Sequence, residues 1–233
     1  MSGGQGEFSF PNGWGGRRKG AGRKPVGRQA GVSHRVRTRS KRYEPLFVTM
    51  KLRWGLPSLR LSEEATVIQD AIRRGNERED FRVVHATIQH DHLHLLVEAD
   101  DFGAQSSGLG GLAIRMARAL NRLWDRKGRV FKDRYHARVL RSPNEVRYAL
   151  LYVFQNATKH RIHRPGHIDR LSSALTFFKQ CLGECPDRRL WFDLWTQALR
   201  SPLTWLLEIG WKKAGGSITP RTLSKQMAGV ALP

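Results

Sequence analysis

The segment His92-Leu93-His94-Leu95-Leu96-Val97 constrains the fold more than any other part of this 233-residue chain. Its apolar run indicates a β-strand, and residues two apart on a strand point to the same face of a sheet. His92 and His94 would therefore project together, while Leu93 and Leu95 would project to the other side. Two convergent imidazoles supply half of a metal site. The sequence thus predicts a sheet that carries a pair of metal ligands.

The segments around this strand predict a βαββαβ order of elements. β-Branched and apolar runs predict strands at 46–52, 81–88, 92–99 and 135–140, and periodic segments predict helices at 62–75, 112–126 and 142–159. Ser62 is typical of an N-cap and Gly75 of a helix stop, whereas the Gly-rich stretch 103–111 is predicted to be a loop. This order is that of the ferredoxin-like α+β fold, with an antiparallel sheet, helices on one face and the other face free for a site.

The charge balance indicates the class of partner. The net charge is +21 and the isoelectric point is about 11.2. Such a surplus favours a polyanion, either nucleic acid or an anionic membrane. No apolar run reaches the length of a transmembrane helix, and the N-terminus lacks a secretory pattern. Nucleic acid is therefore the expected partner, and a membrane is not.

Both ends of the chain are predicted to extend a central domain at 43–163. Residues 1–42 are predicted to be a disordered basic arm, in which eleven Lys and Arg oppose only Glu7. Arg23 and Lys24 resemble an arm that enters the minor groove of DNA, and an unspecific phosphate-binding tail is the alternative. Residues 164–233 are predicted to be a helical, aromatic-rich extension without an assigned role.

The last predicted helix brings a tyrosine and an asparagine to the sheet. The residues at 142–145, Ser-Pro-Asn-Glu, combine a capping Ser, a Pro suited to the first helical position and a Glu placed for a capping box. Tyr152 and Asn156 are four residues apart, so they lie one above the other beside the apolar stripe of the helix. Both could face a cleft at the edge of the core.

This combination suits attack on a phosphodiester. A tyrosine hydroxyl can act as a covalent nucleophile, but it is weak while it is neutral. The phosphate must therefore be neutralised and polarised, which a divalent cation does. The imidazoles of His92 and His94 and the amide oxygen of Asn156 would hold such a cation, and Tyr152 would stand beside the scissile phosphate.

Neighbouring residues offer alternatives for these roles. His90 shares the parity of the strand and is a possible outer ligand, although a turn position is favoured. Tyr148 has no metal-binding residue four positions on, and Tyr135 stands among cations, where packing or base stacking is favoured. Gln155 is the alternative to Asn156 but lies farther round the helix.

The two motifs together resemble a known family. His92-Leu93-His94, with Tyr152-Val153-Phe154-Gln155-Asn156, is similar to the single-tyrosine transposases that carry a His-hydrophobic-His motif, and most similar to the REP-associated tyrosine transposases. The resemblance covers roughly residues 45–163 and includes the segment 129–135. One departure is that Asn156 is followed by Ala-Thr, where the family often has Pro-Val after the Asn.

The resemblance implies a mechanism and a substrate. His92, His94 and Asn156 would bind Mg²⁺ or Mn²⁺. Tyr152 would cleave single-stranded DNA to leave a 5′-phosphotyrosine and a free 3′-hydroxyl. The substrate would be a hairpin or palindromic repeat, and the protein would be bacterial, cytoplasmic and associated with the nucleoid. It would act as a monomer or a homodimer, with Tyr152 serving its own or its partner's metal site.

A cationic surface is predicted beside this site. Four arginines of the helix at 112–126 repeat at spacings of three and four, and Asp125 is the only acid on that helix. Unpaired arginines repel one another unless phosphates neutralise them, so we expect them to hold the DNA backbone without reading sequence. The residues predicted to contact DNA are Arg115, Arg118, Arg122, Arg126, Arg129, Lys132, Arg134, Tyr135, Arg23 and Lys24.

The sequence leaves three functional hypotheses. The first is a metal-dependent DNA strand transferase with Tyr152 as nucleophile. The second is a non-catalytic nucleic-acid binder on the same fold, such as a domesticated or degenerate relative. The third is a nuclease in which the metal activates water and Tyr152 is structural.

Overall fold

The structure is a computed structural model, and it describes residues 44–159, 167–179 and 186–225. The predicted basic arm, with Arg23 and Lys24, lies outside the described residues. Within the described ranges, no helix combines the length and the apolar character that crossing a membrane requires.

The centre of the structure is one four-stranded sheet with the strand order β2-β3-β1-β4. All neighbouring strands are antiparallel. Its members are β1 (Leu46–Lys51), β2 (Phe81–Ile88), β3 (His92–Ala99) and β4 (His136–Val139). This order and the βαββαβ connectivity confirm the predicted ferredoxin-like α+β fold.

Three long helices belong to this core, and shorter ones follow. The core helices are α1 (Ser62–Gly75), α2 (Phe102–Leu123) and α3 (Pro143–Lys159). The C-terminal part contains α4 (Ala174–Phe177), α5 (Pro186–Ala198), α6 (Trp205–Glu208), a 3₁₀ helix (Gly210–Ala214) and α7 (Pro220–Lys225). Helix α1 has the predicted bounds, but Leu61 rather than Ser62 is its N-cap, so the predicted Ser cap is wrong by one residue.

The predicted loop at 103–111 is wrong, because this Gly-rich stretch is the first half of α2. Asp101 caps the helix, and its carboxylate accepts a hydrogen bond from the Ala104 N–H at 2.7 Å. Gly108 lies against the ring of buried Phe81, where a Cβ would stand 2.4 Å from Cγ. Glycine therefore lets this helix approach the sheet, and the cost in helix propensity is offset by packing.

Helices cover both faces of the sheet, which corrects the expectation of one free face. The contact between Gly108 and Phe81 places α2 on the face that carries Leu93, Leu95 and Val97. Helix α3 packs on the opposite face, where the Phe154 ring lies 5.4 Å from the His85 ring. The histidine face is therefore a partly covered cleft.

The described C-terminal residues pack into the same core as the predicted central domain. The buried Glu98 carboxylate accepts hydrogen bonds from the N–H groups of Leu203 and Thr204 at 2.8 and 3.0 Å. Arg60 makes a bidentate ion pair with Asp169, with both N···O distances at 2.8 Å. The boundary near residue 163 stays a prediction, although the segments on its two sides share contacts.

Candidate functional site

His92 and His94 share one face of β3, as the strand period predicts. Their ring centroids lie 4.8 Å apart. His94 is 5% exposed, and the neighbouring His92 is half-buried. The pair therefore sits at the entrance of the cleft, with one imidazole enclosed and the other nearer to solvent.

Each imidazole is oriented by a hydrogen bond through Nδ1. Thr49 lies directly across from His94 on β1, and its Oγ1 is 2.9 Å from His94 Nδ1. The Asp91 carboxylate lies 2.7 Å from His92 Nδ1 and also pairs with Lys51 at 3.3 Å. A ring held through Nδ1 presents Nε2 on its other side, which is how metal-binding histidines are commonly fixed.

The Asp91 carboxylate is kept ionised for this role. Partial burial alone would raise its pKa, but the hydrogen bonds and charges of His92 and Lys51 outweigh that effect, so the pKa lies below its usual value. The residues that the sequence predicts for the site do not include Asp91. The adjacent pair Asp-His was the signal for its contact with the imidazole.

Helix α3 is started by the predicted capping box. Glu145 Oε2 accepts hydrogen bonds from the N–H groups of Arg141 and Ser142, while Ser142 Oγ accepts one from the Glu145 N–H at 3.3 Å. These bonds and Arg138 lower the pKa of Glu145 against the opposing effect of its burial. The cap fixes where α3 begins and hence where its tyrosine stands.

Tyr152 contacts His94, the enclosed member of the histidine pair. Its ring centroid is 5.0 Å from that of His94 and 5.6 Å from that of Phe47, both edge to face. Phe47 in turn stacks on His94 at 5.2 Å. Tyr148, one turn earlier, is 41% exposed. The structure therefore brings Tyr152 to the histidines, as the helix spacing predicts.

Asn156 lies one turn beyond Tyr152 and is 1% exposed. Neither Oδ1 nor Nδ2 has a hydrogen-bond partner among the described residues. A buried amide without a hydrogen-bond partner costs free energy. The Asn156 side chain is therefore suited to bind a group that enters the site, with Oδ1 as the atom that could ligate a cation. Gln155, the alternative, instead donates a hydrogen bond to the Leu223 carbonyl.

The structure adds Gln89, which sequence reasoning missed. It follows β2, and its N–H donates to the His92 carbonyl at 2.8 Å. Its Nε2 donates to Thr87 Oγ1 at 3.0 Å, and Thr87 is paired with His94, so the Gln89 side chain lies on the histidine face. Gln89 is 1% exposed, and its Oε1 accepts no hydrogen bond from the described residues. The order Thr-x-Gln before the histidine strand was its only signal.

Amide oxygens matter here because of the composition of the site. No group of three or more His, Cys, Asp and Glu that could hold a metal occurs within the described ranges. The residues that could hold a divalent cation on this face are therefore His92 and His94, through imidazole nitrogens, and Asn156 and Gln89, through amide oxygens.

His90 and Tyr135, the other histidine and tyrosine that the sequence offers for the site, lie in different surroundings. His90 is exposed, and its Nδ1 lies 2.9 Å from Ser58 Oγ, so it sits in the β2–β3 turn as favoured. Tyr135 is 9% exposed, which favours the packing role over base stacking.

The predicted DNA-binding cations occupy two places. Arg115, Arg118 and Arg122 line a groove of about 580 Å³ between α1 and α2, on the sheet face opposite the histidines. Arg74 extends it from α1, beside Asp70. The groove and the tyrosine therefore lie on opposite sides of the sheet.

The second place is the end of β1 near His92. The Lys132 N–H donates to the Lys51 carbonyl at 2.8 Å, and Leu52 forms an isolated bridge with Phe131. Lys132, Arg134 and Arg129 are exposed, and Arg129 lies 3.6 Å from the Asp133 carboxylate. Arg126 is half-buried. The segment at 129–134 thus supplies a basic rim to the histidine cleft.

Comparison with known proteins gives a fold likeness. No protein-family model matches the sequence, and no curated protein matches it. Among solved structures, the chain is similar to a REP-associated tyrosine transposase bound to a REP hairpin, with a TM-score of 0.51 and 16% identity over 67% of this chain and 90% of that one.

A second likeness is weaker. Complexes of a bacterial tRNA(His) guanylyltransferase (Thg1)-like protein with ATP and with GTP both have a TM-score of 0.41. The ATP complex is 13% identical, and the match covers 53% of this chain and 60% of that one. The GTP complex is 14% identical, and the match covers 54% of this chain and 67% of that one. TM-scores at that level support no conclusion. The strand order, the helices on both faces and the first likeness lead to one statement: this chain has the fold of a REP-associated tyrosine transposase.

Proposed function

We propose that the protein is a metal-dependent DNA strand transferase of the REP-associated tyrosine transposase type. The observation that carries the proposal is the contact of the Tyr152 ring with His94 at 5.0 Å, one helical turn from the buried amide of Asn156, which has no hydrogen-bond partner among the described residues. Nucleophile and candidate ligands are thereby held by two rigid elements, α3 and β3. Such placement is what effective phosphoryl transfer requires.

The candidate ligands are His92, His94 and Asn156, with Gln89 as an additional oxygen donor. A bound Mg²⁺ or Mn²⁺ would supply charge neutralisation and polarisation of the scissile phosphate. Thr49 and Asp91 hold the two imidazoles by their Nδ1 atoms. Phe47 and His94 fix the tyrosine ring by edge-to-face contacts, which limits its rotation.

The bond changes follow from a tyrosine nucleophile. The Tyr152 phenol loses its proton, and its oxygen attacks the phosphorus of a single-stranded DNA phosphodiester. The P–O3′ bond breaks, and the departing 3′ oxygen takes a proton to become a hydroxyl. The DNA stays linked to Tyr152 through its 5′ phosphate, and reaction of that link with another 3′-hydroxyl restores a phosphodiester and frees the tyrosine.

The basic surfaces fit a folded DNA substrate. Single-stranded DNA would enter along the rim formed by the segment at 129–134, beside His92. The arginine groove between α1 and α2 would hold phosphates on the opposite side of the sheet. A hairpin presents both a strand end and a stem, so it offers phosphates to both surfaces.

The test is covalent capture on single-stranded hairpin DNA with Mn²⁺, analysed on a denaturing gel. The wild-type protein is expected to give a protein-linked DNA band. Tyr152→Phe should abolish that band and leave DNA binding intact, because only the nucleophilic oxygen is removed. Tyr148→Phe is the matched control, since it makes the same change one turn away at an exposed position.

Each other outcome selects another hypothesis. A linked band that persists in Tyr152→Phe contradicts the assignment of the nucleophile. Cleaved DNA without any linked product indicates a nuclease with a structural Tyr152. Reversible binding alone, in every variant, indicates a non-catalytic nucleic-acid binder, which the arginine groove would serve without the histidine cleft.

A further inference from the structure

The turn after β1 presents a tryptophan to solvent. Trp54 is 100% exposed, whereas the other exposed large apolar side chains of the described residues range from 41% to 58%. An isolated apolar residue on a surface is ordinary. The surroundings of Trp54, however, give its ring a definite place and a definite chemistry.

The turn is held on both sides of Trp54. The Leu52 N–H donates to the Asp91 carbonyl at 2.7 Å, and the Arg53 N–H donates to the Val130 carbonyl at 2.9 Å. The Leu59 N–H donates to the His90 carbonyl at 2.9 Å. Gly55 adopts a φ of 83°, which glycine reaches without strain. The ring therefore projects from a loop whose backbone is fixed.

This turn lies at the histidine end of the sheet. Lys51 is paired with His92 across β1 and β3, and Trp54 follows Lys51 by three residues. Three residues span at most about 11 Å of chain. A single strand that reaches His92 can therefore also reach the Trp54 ring.

The charges around the ring suit a polyanion. Arg53, beside Trp54, and Lys132, whose N–H donates to the Lys51 carbonyl, are both exposed. Lys51 is 59% exposed and shares Asp91 with His92. An exposed aromatic ring on a surface rich in cations is an arrangement that binds single-stranded nucleic acid, with the ring against a base and the cations on phosphates.

We propose that Trp54 stacks on an unpaired base of the single-stranded DNA that leads to the tyrosine site, with Arg53 and Lys132 on the flanking phosphates. This inference rests on the proposed function, because it names how the strand is held beside that site. Every base has a π face, so the contact tolerates any sequence. It sets the path of the strand rather than reading its bases.

The experiment measures the affinity of the full chain for a labelled single-stranded oligonucleotide, with a parallel set in which one base at a time is removed to leave an abasic sugar. Trp54→Ala is expected to bind the intact strand between about fivefold and about a hundredfold more weakly. Trp54→Phe, which keeps an aromatic face, is expected to stay within about threefold of wild type. Because the side chain is fully exposed, neither change removes core packing.

Trp205→Ala is the control at another exposed tryptophan, whose ring also contacts Gly210 and Lys213. Trp205 is 51% exposed and follows Thr204, which is bound to Glu98 at the other end of β3. Its replacement is expected to leave the affinity for single-stranded DNA unchanged. A loss equal to that of Trp54→Ala would overturn the proposal, since it would show a general effect of removing a surface tryptophan.

The abasic strands identify the partner of the ring. At one position, removal of the base is expected to weaken the wild type to the level of Trp54→Ala and to leave that variant unchanged. Equal affinities of wild type and Trp54→Ala for the intact strand would refute the proposal. So would a loss in Trp54→Ala that stays the same on every abasic strand, which would point to a contact with something other than a base.

The covalent assay separates this inference from the proposed function. If the wild type forms no protein-linked DNA but the base-dependent loss is found, strand transfer fails and the base platform stands. If linked DNA forms and no base-dependent loss is found, strand transfer stands and the base platform fails.

Discussion

Replacing glycine by alanine in α2 is expected to change the free energy of unfolding in opposite directions at Gly108 and at Gly111. A Cβ at Gly108 would lie 2.4, 2.5 and 2.9 Å from three ring atoms of Phe81, which is fully buried. Forcing a methyl group into a packed site costs about 1–3 kcal/mol, and replacing a helical glycine returns about 0.5–1 kcal/mol. We expect Gly108→Ala to lower the free energy of unfolding by about 1–2 kcal/mol. Gly111 is exposed with nothing within 4 Å of its Cβ position, so Gly111→Ala should raise it by about 0.5–1 kcal/mol.

Urea unfolding of the two variants and the wild type tests this prediction. The midpoints should fall in the order Gly108→Ala, wild type, Gly111→Ala, with equal slopes against urea concentration. The two variants should differ by about 1.5–3 kcal/mol. If Gly108→Ala were as stable as Gly111→Ala, the close packing of α2 on Phe81 would be refuted. The reason given for a glycine-rich helix would fail with it.

Two further predictions concern the histidine face. Asn156→Ala and Gln89→Ala each remove a proposed ligand atom, so each should weaken Mn²⁺ binding, measured by calorimetry, by at least the roughly 10-fold seen when a partner of a metal ligand is lost. Gln69→Ala, at a buried amide of α1, should leave Mn²⁺ binding unchanged, and equal losses in all three variants would argue against the assigned ligands. Desolvation lowers the pKa of His85, whose side chain is half-buried beside Phe154 and Ser173, to about 4 from 6.5. The folded state therefore favours the neutral imidazole, and the contribution of His85 to the free energy of unfolding should fall by up to about 3 kcal/mol between pH 6.5 and pH 4. His85→Gln should remove that part of the pH dependence of urea unfolding, and an unchanged profile would contradict the desolvation of this imidazole.

The sequence predicted those features that depend on neighbours along the chain. The bounds of β2 and β3 match the alternation and apolar runs, and the capping box at Ser142 and Glu145 starts α3 as expected. The one-turn spacing of Tyr152 and Asn156 is a property of any α-helix. These patterns are local, so a single sequence is enough to recognise them.

The wrong predictions concern features that depend on contacts between distant segments of the chain. The Gly-rich sequence of α2 predicts a loop because glycine has low helix propensity. The Phe81 ring, however, packs closely against Gly108, and the helix begins at Phe102. In α2, packing on a distant strand outweighs a local preference of about 1 kcal/mol per residue. The sheet face expected to be free carries α3, which the sequence placed beside the histidines, and also the C-terminal residues, whose packing there has no local signal.

What the sequence by itself determined is therefore the pair of imidazoles, the tyrosine one turn before an amide, the element order and the excess of positive charge. Only the tertiary structure decided which partners complete them. Thr49 is 45 residues from His94 along the chain, yet its hydroxyl lies 2.9 Å from the imidazole. Strand pairing likewise brings Gln89 and Trp54 to the end of the sheet that carries His92. The physical reason is that periodicity and capping act over a few residues, whereas a site is assembled by strand register and packing, which join residues that the sequence keeps apart.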